Sequence, residues 1–131
     1  MTASSLTVAG WDRQPTIIDE DHLGRMTLGD RRLEREVLEI FVRQTTIMLG
    51  RITGAEPALA AAAAHTLMGS ARGIGAWRVA RAAERLQRAA GEGSEEDVDE
   101  AIAELKAATA EASAAISARL GEPLGDLARG H

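Results

Sequence analysis

The chain has no cysteine, so neither a disulfide framework nor thiol chemistry is available to it. Aromatic residues are nearly missing too: two tryptophans, one phenylalanine and no tyrosine. A core cannot rest on large rings and must come from close helix contacts with Leu, Ile and Val in the seams. No apolar run approaches the roughly 20 residues that span a bilayer. The N-terminus lacks the basic start and apolar segment of a secretory signal, so a soluble cytoplasmic protein with no membrane partner is expected. A basic surplus is also lacking. A net charge of −5 and a pI near 5.2 argue against a nucleic-acid partner. Lysine is almost absent, with Lys106 the single example among 15 basic residues.

What is present is helical. With 131 residues, 45% of them hydrophobic and many of those alanine, the chain suits one domain with a modest core. Residues 1–16 are small, polar and aperiodic, and are expected to form a flexible leader with Trp11 able to fold back onto the bundle. Ile17 to Met26 suits a short helix with acidic residues at its positive end. Asp30 is a good N-cap for the next helix, Arg31 to Ile52. Its apolar stripe is expected at Leu33, Val37, Ile40, Phe41, Ile47, Met48 and Ile52. Thr53 with Glu56 suits a capping box and Pro57 suits a first helical residue, and both starts remain open.

Past the central helix, Gly73 and Gly75 make a tight turn. Trp77 to Ala90 buries Val79, Ala83, Leu86 and Ala90, and Gly91-Glu92-Gly93 stops it. Ser94 with Asp97 caps a last helix whose stripe is Val98, Ile102, Leu105, Ala112, Ile116 and Leu120. Gly121, Pro123 and Gly125 are expected to end it. The period never switches to strand alternation. The prediction is an all-α, antiparallel four-helix bundle with a short accessory N-terminal helix, covering residues 17–121 and followed by a tail over 122–131. The acidic last helix offers no dimer seam, so a monomer is expected.

Ala58 to Leu86 carries the chemistry. At about 100° per residue, Leu59, Ala63, Leu67, Ser70 and Ile74 share one side of the helix and should face the core. His65, Met68, Gly69, Arg72 and Ala61 share the other. Gly69 in mid-helix costs about 1 kcal/mol relative to alanine, so something outside propensity should compensate. Arg72, Arg78, Arg81, Arg85 and Arg88 face a single nearby acid, Glu84, while Glu92 to Glu104 is strongly acidic. Two readings stand: solvated faces with complementary charge on neighbouring helices, or a positive rim for an acidic partner or a phosphoryl group. The carboxylates show no Glu-x-x-His pairing, so no metal site is expected. His22 and His131 are read as incidental.

The run His65-Thr66-Leu67-Met68-Gly69-Ser70-Ala71, closed by Ile74-Gly75, resembles the H-x-L-K-G-S/A-S/A signature of histidine-containing phosphotransfer (HPt) domains. The resemblance extends from Ile18-Asp19 and Leu28-Gly29-Asp30 through Leu33, Glu36-Val37-Leu38 and Phe41 to Val79, Ala83 and Leu86. It implies a phosphorelay intermediate that takes a phosphoryl group from a receiver-domain aspartate onto His65 and passes it to another receiver. The partners it implies are receiver domains of response regulators and of a hybrid sensor histidine kinase. It implies no cofactor, since the magnesium belongs to the receiver, and no phosphate-cradling glycine loop is present. The chemistry is consistent, because an imidazole largely neutral near pH 7 attacks phosphorus without a general base. Gly69 and Ala61 would keep the docking surface smooth.

One position departs from the pattern: Met68 stands where the family has lysine. A thioether offers the phosphoryl oxygens neither charge nor a donor. Arg72 or Arg78 could supply the missing charge, the substitution could be engineered or selected, or the domain could only bind. The function expected is phosphotransfer through His65. Its rivals are an HPt-like adaptor that binds receivers or a kinase without carrying phosphate, and a purely structural helical module.

Overall fold

Capping chemistry sets most of the helix boundaries. The computed structural model describes the backbone of residues 17–129 and the side chains of residues 17–121, and the expected leader, with Trp11, lies outside them. Among the described residues the elements are α1 (Glu20–Met26), α2 (Arg31–Ile52), α3 (Pro57–Ile74), α4 (Trp77–Glu92) and α5 (Glu95–Arg129), with no strand. α1 begins later than its apolar residues suggest because Asp19 stays extended and its carboxylate accepts from the His22 N–H at 3.1 Å. Asp30 caps α2 through Leu33 N at 3.1 Å. Pro57, not a capping box, opens α3, where a missing N–H costs nothing. Ser94 and Asp97 cap α5 reciprocally, side chain to backbone N–H, at 3.2 and 3.3 Å.

Gly75, but not Gly73, ends α3. Its φ is +81°, and a Cβ there would lie 2.8 Å from Asp19 Cβ. The backbone of Asp19 donates to the Gly75 carbonyl at 3.0 Å, so this turn is where the entering chain is pinned.

The four long helices pack as a bundle: α3 lies between α2 and α4, and α5 closes the ring against α4 and α2. Leu38, Phe41, Ile52, Leu67, Leu86, Leu105 and Ile116 fill its centre. Ala64, Ala71, Ala83, Ala101 and Ala112 are fully buried and let the backbones approach closely. This is how a core lacking large rings is built.

The stripe expected on α2 is corrected. Leu33, Ile40 and Ile47 are 38%, 53% and 53% exposed, and the buried row is Glu34, Leu38, Phe41, Thr45, Met48 and Ile52. The two rows are one residue, or about 100°, apart. Polar residues in the buried row disguise it, yet each is satisfied. Glu34 accepts from Arg119 at 2.9 Å and from the Thr27 hydroxyl at 3.4 Å, and the Thr45 hydroxyl donates to Val42 O at 2.7 Å. Leu59, expected in the core, is 63% exposed, because α2 and α4 close on the side of α3 that carries Ala60, Ala64, Leu67 and Ala71. Ser70 and Ala90 are half-buried, as are Val98, Ile102 and Leu120, while Ala101 and Thr109 take the deeper places on α5.

The end of α5 also differs from expectation. Helical backbone continues to Arg129, so the 122–131 segment expected as a tail is largely helix. Glycine weakens a helix without forbidding it, and a proline removes one N–H. Arg35 donates to the Leu120 carbonyl at 3.1 Å, joining α2 to α5. Arg119, one residue earlier, bridges Glu20 of α1 and Glu34 of α2, both at 2.9 Å, and ties the accessory helix to the bundle.

Candidate functional site

His65 stands on the exposed side of α3, four residues after Ala61 and four before Gly69. The α3 core residues Ala64 and Leu67 flank it in sequence and point inward, which turns the imidazole out. Its Nδ1 lies 3.2 Å from the side-chain amide nitrogen of Gln87 on α4. The two ends of a carboxamide interchange by a flip, so the contact serves either ring tautomer. With the amide carbonyl turned to the ring, Nδ1–H donates and the outer nitrogen, Nε2, keeps its lone pair free.

Gln87 is the residue that the motif did not reveal. A signal existed: Ala80, Ala83 and Gln87 share the α4 face turned to α3, and Gln87 is the polar member of that row. Knowing which face of α4 meets α3, and in which register, required the packed bundle.

Around His65 the surface is low. Gly69 is exposed, and a Cβ built on it meets nothing beyond its own helix backbone and chain neighbours within 4 Å among the described residues. No contact among the described residues therefore calls for glycine there, although glycine costs about 1 kcal/mol in mid-helix. Ala61 is half-buried. Met68 is also half-buried, with part of its side chain against the core and part at the surface. Its thioether leans on apolar neighbours that a lysine ammonium would have to leave for solvent.

The arginines divide into two groups. Arg78 is held by Glu111 at 2.8 Å and Arg85 by Glu104 and Glu100, so these two follow the complementary-charge reading. Arg78 is thereby removed as a substitute for the motif lysine. Arg72 is exposed, lies two turns from His65 on the same side of α3, and makes no ion pair among the described residues. Helical side chains generally lean towards the helix N-terminus, the direction in which His65 lies from Arg72.

Below the site, His22 is more than incidental. Its Nε2 hydrogen-bonds the Arg72 carbonyl at 2.8 Å, and its ring lies 4.9 Å from that of Trp77, whose Nε1 donates to Asp19 at 2.9 Å. Asp19, His22 and Trp77 thus satisfy and brace the C-terminal turn of the histidine helix. The indole N–H and the His22 backbone N–H hold the Asp19 carboxyl below its usual range.

Among the described residues no cluster of His, Asp or Glu converges on a point that could hold a metal, and no helix is long and apolar enough to cross a membrane. The site is one exposed imidazole, oriented from behind and ringed by small residues. Alone it can bind or carry a small electrophile, but it has no second group to complete a reaction.

A family model for the Hpt domain matches residues 36–115. In structure the chain is similar to a rice protein proposed to be a histidine-containing phosphotransfer protein. The TM-score is 0.70, over 88% of this chain and 86% of that one, at 15% identity, a likeness of fold. No curated protein matches.

Proposed function

The chain belongs to the Hpt domain family, and on that premise we propose that it carries a phosphoryl group on His65, received from the aspartate of one receiver domain and passed to another. The observation that carries the proposal is the exposed His65 ring held through Nδ1 by Gln87. With the Gln87 carboxamide flipped so that its carbonyl accepts from Nδ1–H, Nε2 attacks the phosphorus of the receiver's aspartyl phosphate. The N–P bond forms as the P–O bond breaks, and the aspartate leaves as its carboxylate. The ring proton stays on Nδ1 against the Gln87 carbonyl, and the reverse step delivers the group to the next receiver.

Phosphoryl transfer depends mainly on positioning and charge compensation, so the carrier needs only a presented nucleophile and an unobstructed surface. Ala61, Met68 and Gly69 form that surface in this reading. Arg72 replaces part of the charge that the motif lysine would bring. The upstream partner is the receiver of a hybrid sensor histidine kinase and the downstream partner that of a response regulator, in the cytoplasm.

The test is incubation with a phosphorylated receiver. Label appears on this chain and is lost in His65→Gln, whose circular dichroism is unchanged. Absence of label on both this chain and Met68→Lys refutes the carrier reading. The adaptor reading draws on Met68, and receiver binding with no label transfer, indifferent to His65 replacement, would favour it.

A further inference from the structure

Glu84 is exposed on α4 and makes no ion pair among the described residues. It lies four residues after Ala80 and three before Gln87, about 40° from the first and 60° from the second around the helix. Arg81 and Arg88 are turned at least about 80° from both. Glu84 is therefore the charge on α4 that stands nearest the seam with α3.

The register of that seam sets its height. α3 and α4 are joined by the tight turn at Gly75 and Ala76 and run antiparallel, with His65 level with Gln87. One turn on from His65 along α3 is Met68, and one turn back from Gln87 along α4 is Glu84. In antiparallel helices these two steps go the same way, each rising about 4.5 Å. Met68 and Glu84 thus stand at one level across the seam, beside the nucleophile. A lysine at 68 would neutralise the carboxylate there, and a thioether leaves its charge standing.

We propose that Glu84 sets the poise of the site: its carboxylate disfavours a phosphoryl group on His65, so the chain holds the group weakly and gives it up readily. The inference rests on the phosphotransfer reading. A phosphoryl group brings about two negative charges. One carboxylate at about 8 Å, in a nearly aqueous dielectric, shifts its equilibrium about two- to fivefold at low salt. Arg72 acts in the opposite sense from two turns away. Donation breaks the Nε2–P bond and forms the P–O bond to the receiver aspartate, with the ring proton kept on Nδ1. Glu84 gains and loses nothing in that step and acts only through its field.

The test is the extent to which phosphoramidate loads the full chain at equilibrium, read by intact mass. The P–N bond to ammonia breaks as the bond to Nε2 forms, and so small a donor senses no docking surface. Loading of His65→Gln is subtracted as the share of the other histidines. In about 0.01 M salt, Glu84→Gln should raise the ratio of loaded to free chain about two- to fivefold, and Glu84→Lys further. In about 1 M salt, where the Debye length is about 3 Å, the native chain and both variants should converge. Unfolding temperatures confirm that the variants fold, as an exposed position allows.

Equal or lower loading of both variants at low salt overturns the proposal, as does a His65 that takes no label in any of the three chains. A gain that persists in about 1 M salt overturns it too, because packing would then be the cause. A salt-sensitive gain in a chain that exchanges no label with any receiver upholds the charge effect and refutes the carrier reading, so the two fail separately.

Discussion

The Gln87 side-chain amide lies 3.2 Å from His65 Nδ1, across the seam between α3 and α4 and 22 residues away in sequence. It is the one side-chain contact that orients the imidazole among the described residues, and it leaves the outer nitrogen open. Gln87 is a positioning residue in this arrangement. Gln87→Ala should keep the fold and slow label transfer to His65. The loss of one hydrogen bond of about 1 kcal/mol corresponds to a roughly fivefold fall in rate. Gln87→Glu, which can only accept from Nδ1–H, should recover the rate where a merely structural role would not. Single-turnover transfer from a phosphorylated receiver measures both.

Gly69 separates stability from docking. Among the described residues nothing beyond its own helix backbone and chain neighbours lies near a Cβ placed there, so Gly69→Ala should stabilise the helix by up to about 1 kcal/mol. Gly69→Leu should fold as well and fail to accept label, because its bulk stands one turn from His65. Denaturant unfolding and label transfer on the same samples give the two readouts. Wild-type transfer rates in Gly69→Leu would remove Gly69 from the docking surface.

Met68→Lys should raise the transfer rate or lengthen the lifetime of the phosphohistidine. The ammonium would leave the apolar contacts of Met68 and reach the phosphoryl oxygens. An unchanged rate would show that Arg72 or the receiver already supplies the charge, and Arg72→Gln tested beside it would tell which.

Gly75→Ala should destabilise the bundle by more than the left-handed conformation alone costs, about 1–2 kcal/mol. The added methyl would also lie 2.8 Å from Asp19 Cβ at the point where the entering chain is pinned. Thermal unfolding measures the loss.

Acid stability should depend on Asp19. Its carboxyl is held low mainly by the Trp77 indole N–H and next by the His22 backbone N–H. A depressed folded-state value stabilises above the ordinary carboxylate range, near about 4, and that contribution fades as pH falls through the folded value. Asp19→Asn should therefore be less stable than the native chain at neutral pH, with the gap narrowing in strong acid. Unfolding curves over a pH series check the sign.

The sequence was most legible where the physics is local. Asp30, Gly75 and the Ser94–Asp97 pair act within a few residues of themselves, and two helix starts and the αL stop at Gly75 followed from them, while the start at Pro57 was left open between two caps. His65 and Gly69, four residues apart on a single helix, were placed on the outer face for the same reason. At the end of α5, expected at Gly121, Pro123 and Gly125, the boundary failed, since helical backbone runs on to Arg129.

By itself the sequence determined the helices, their order and the exposed histidine, because backbone hydrogen bonding and side-chain period reach no further than a turn or two. The tertiary structure decided which of two adjacent rows on α2 is the core. It chose the one containing Glu34 and Thr45, since Arg119 and a backbone carbonyl satisfy them there. It also decided that Gln87 meets His65 and that Glu111 takes Arg78 out of the site. Such choices rest on the register between helices, a property of their packed faces that the linear order of residues does not contain.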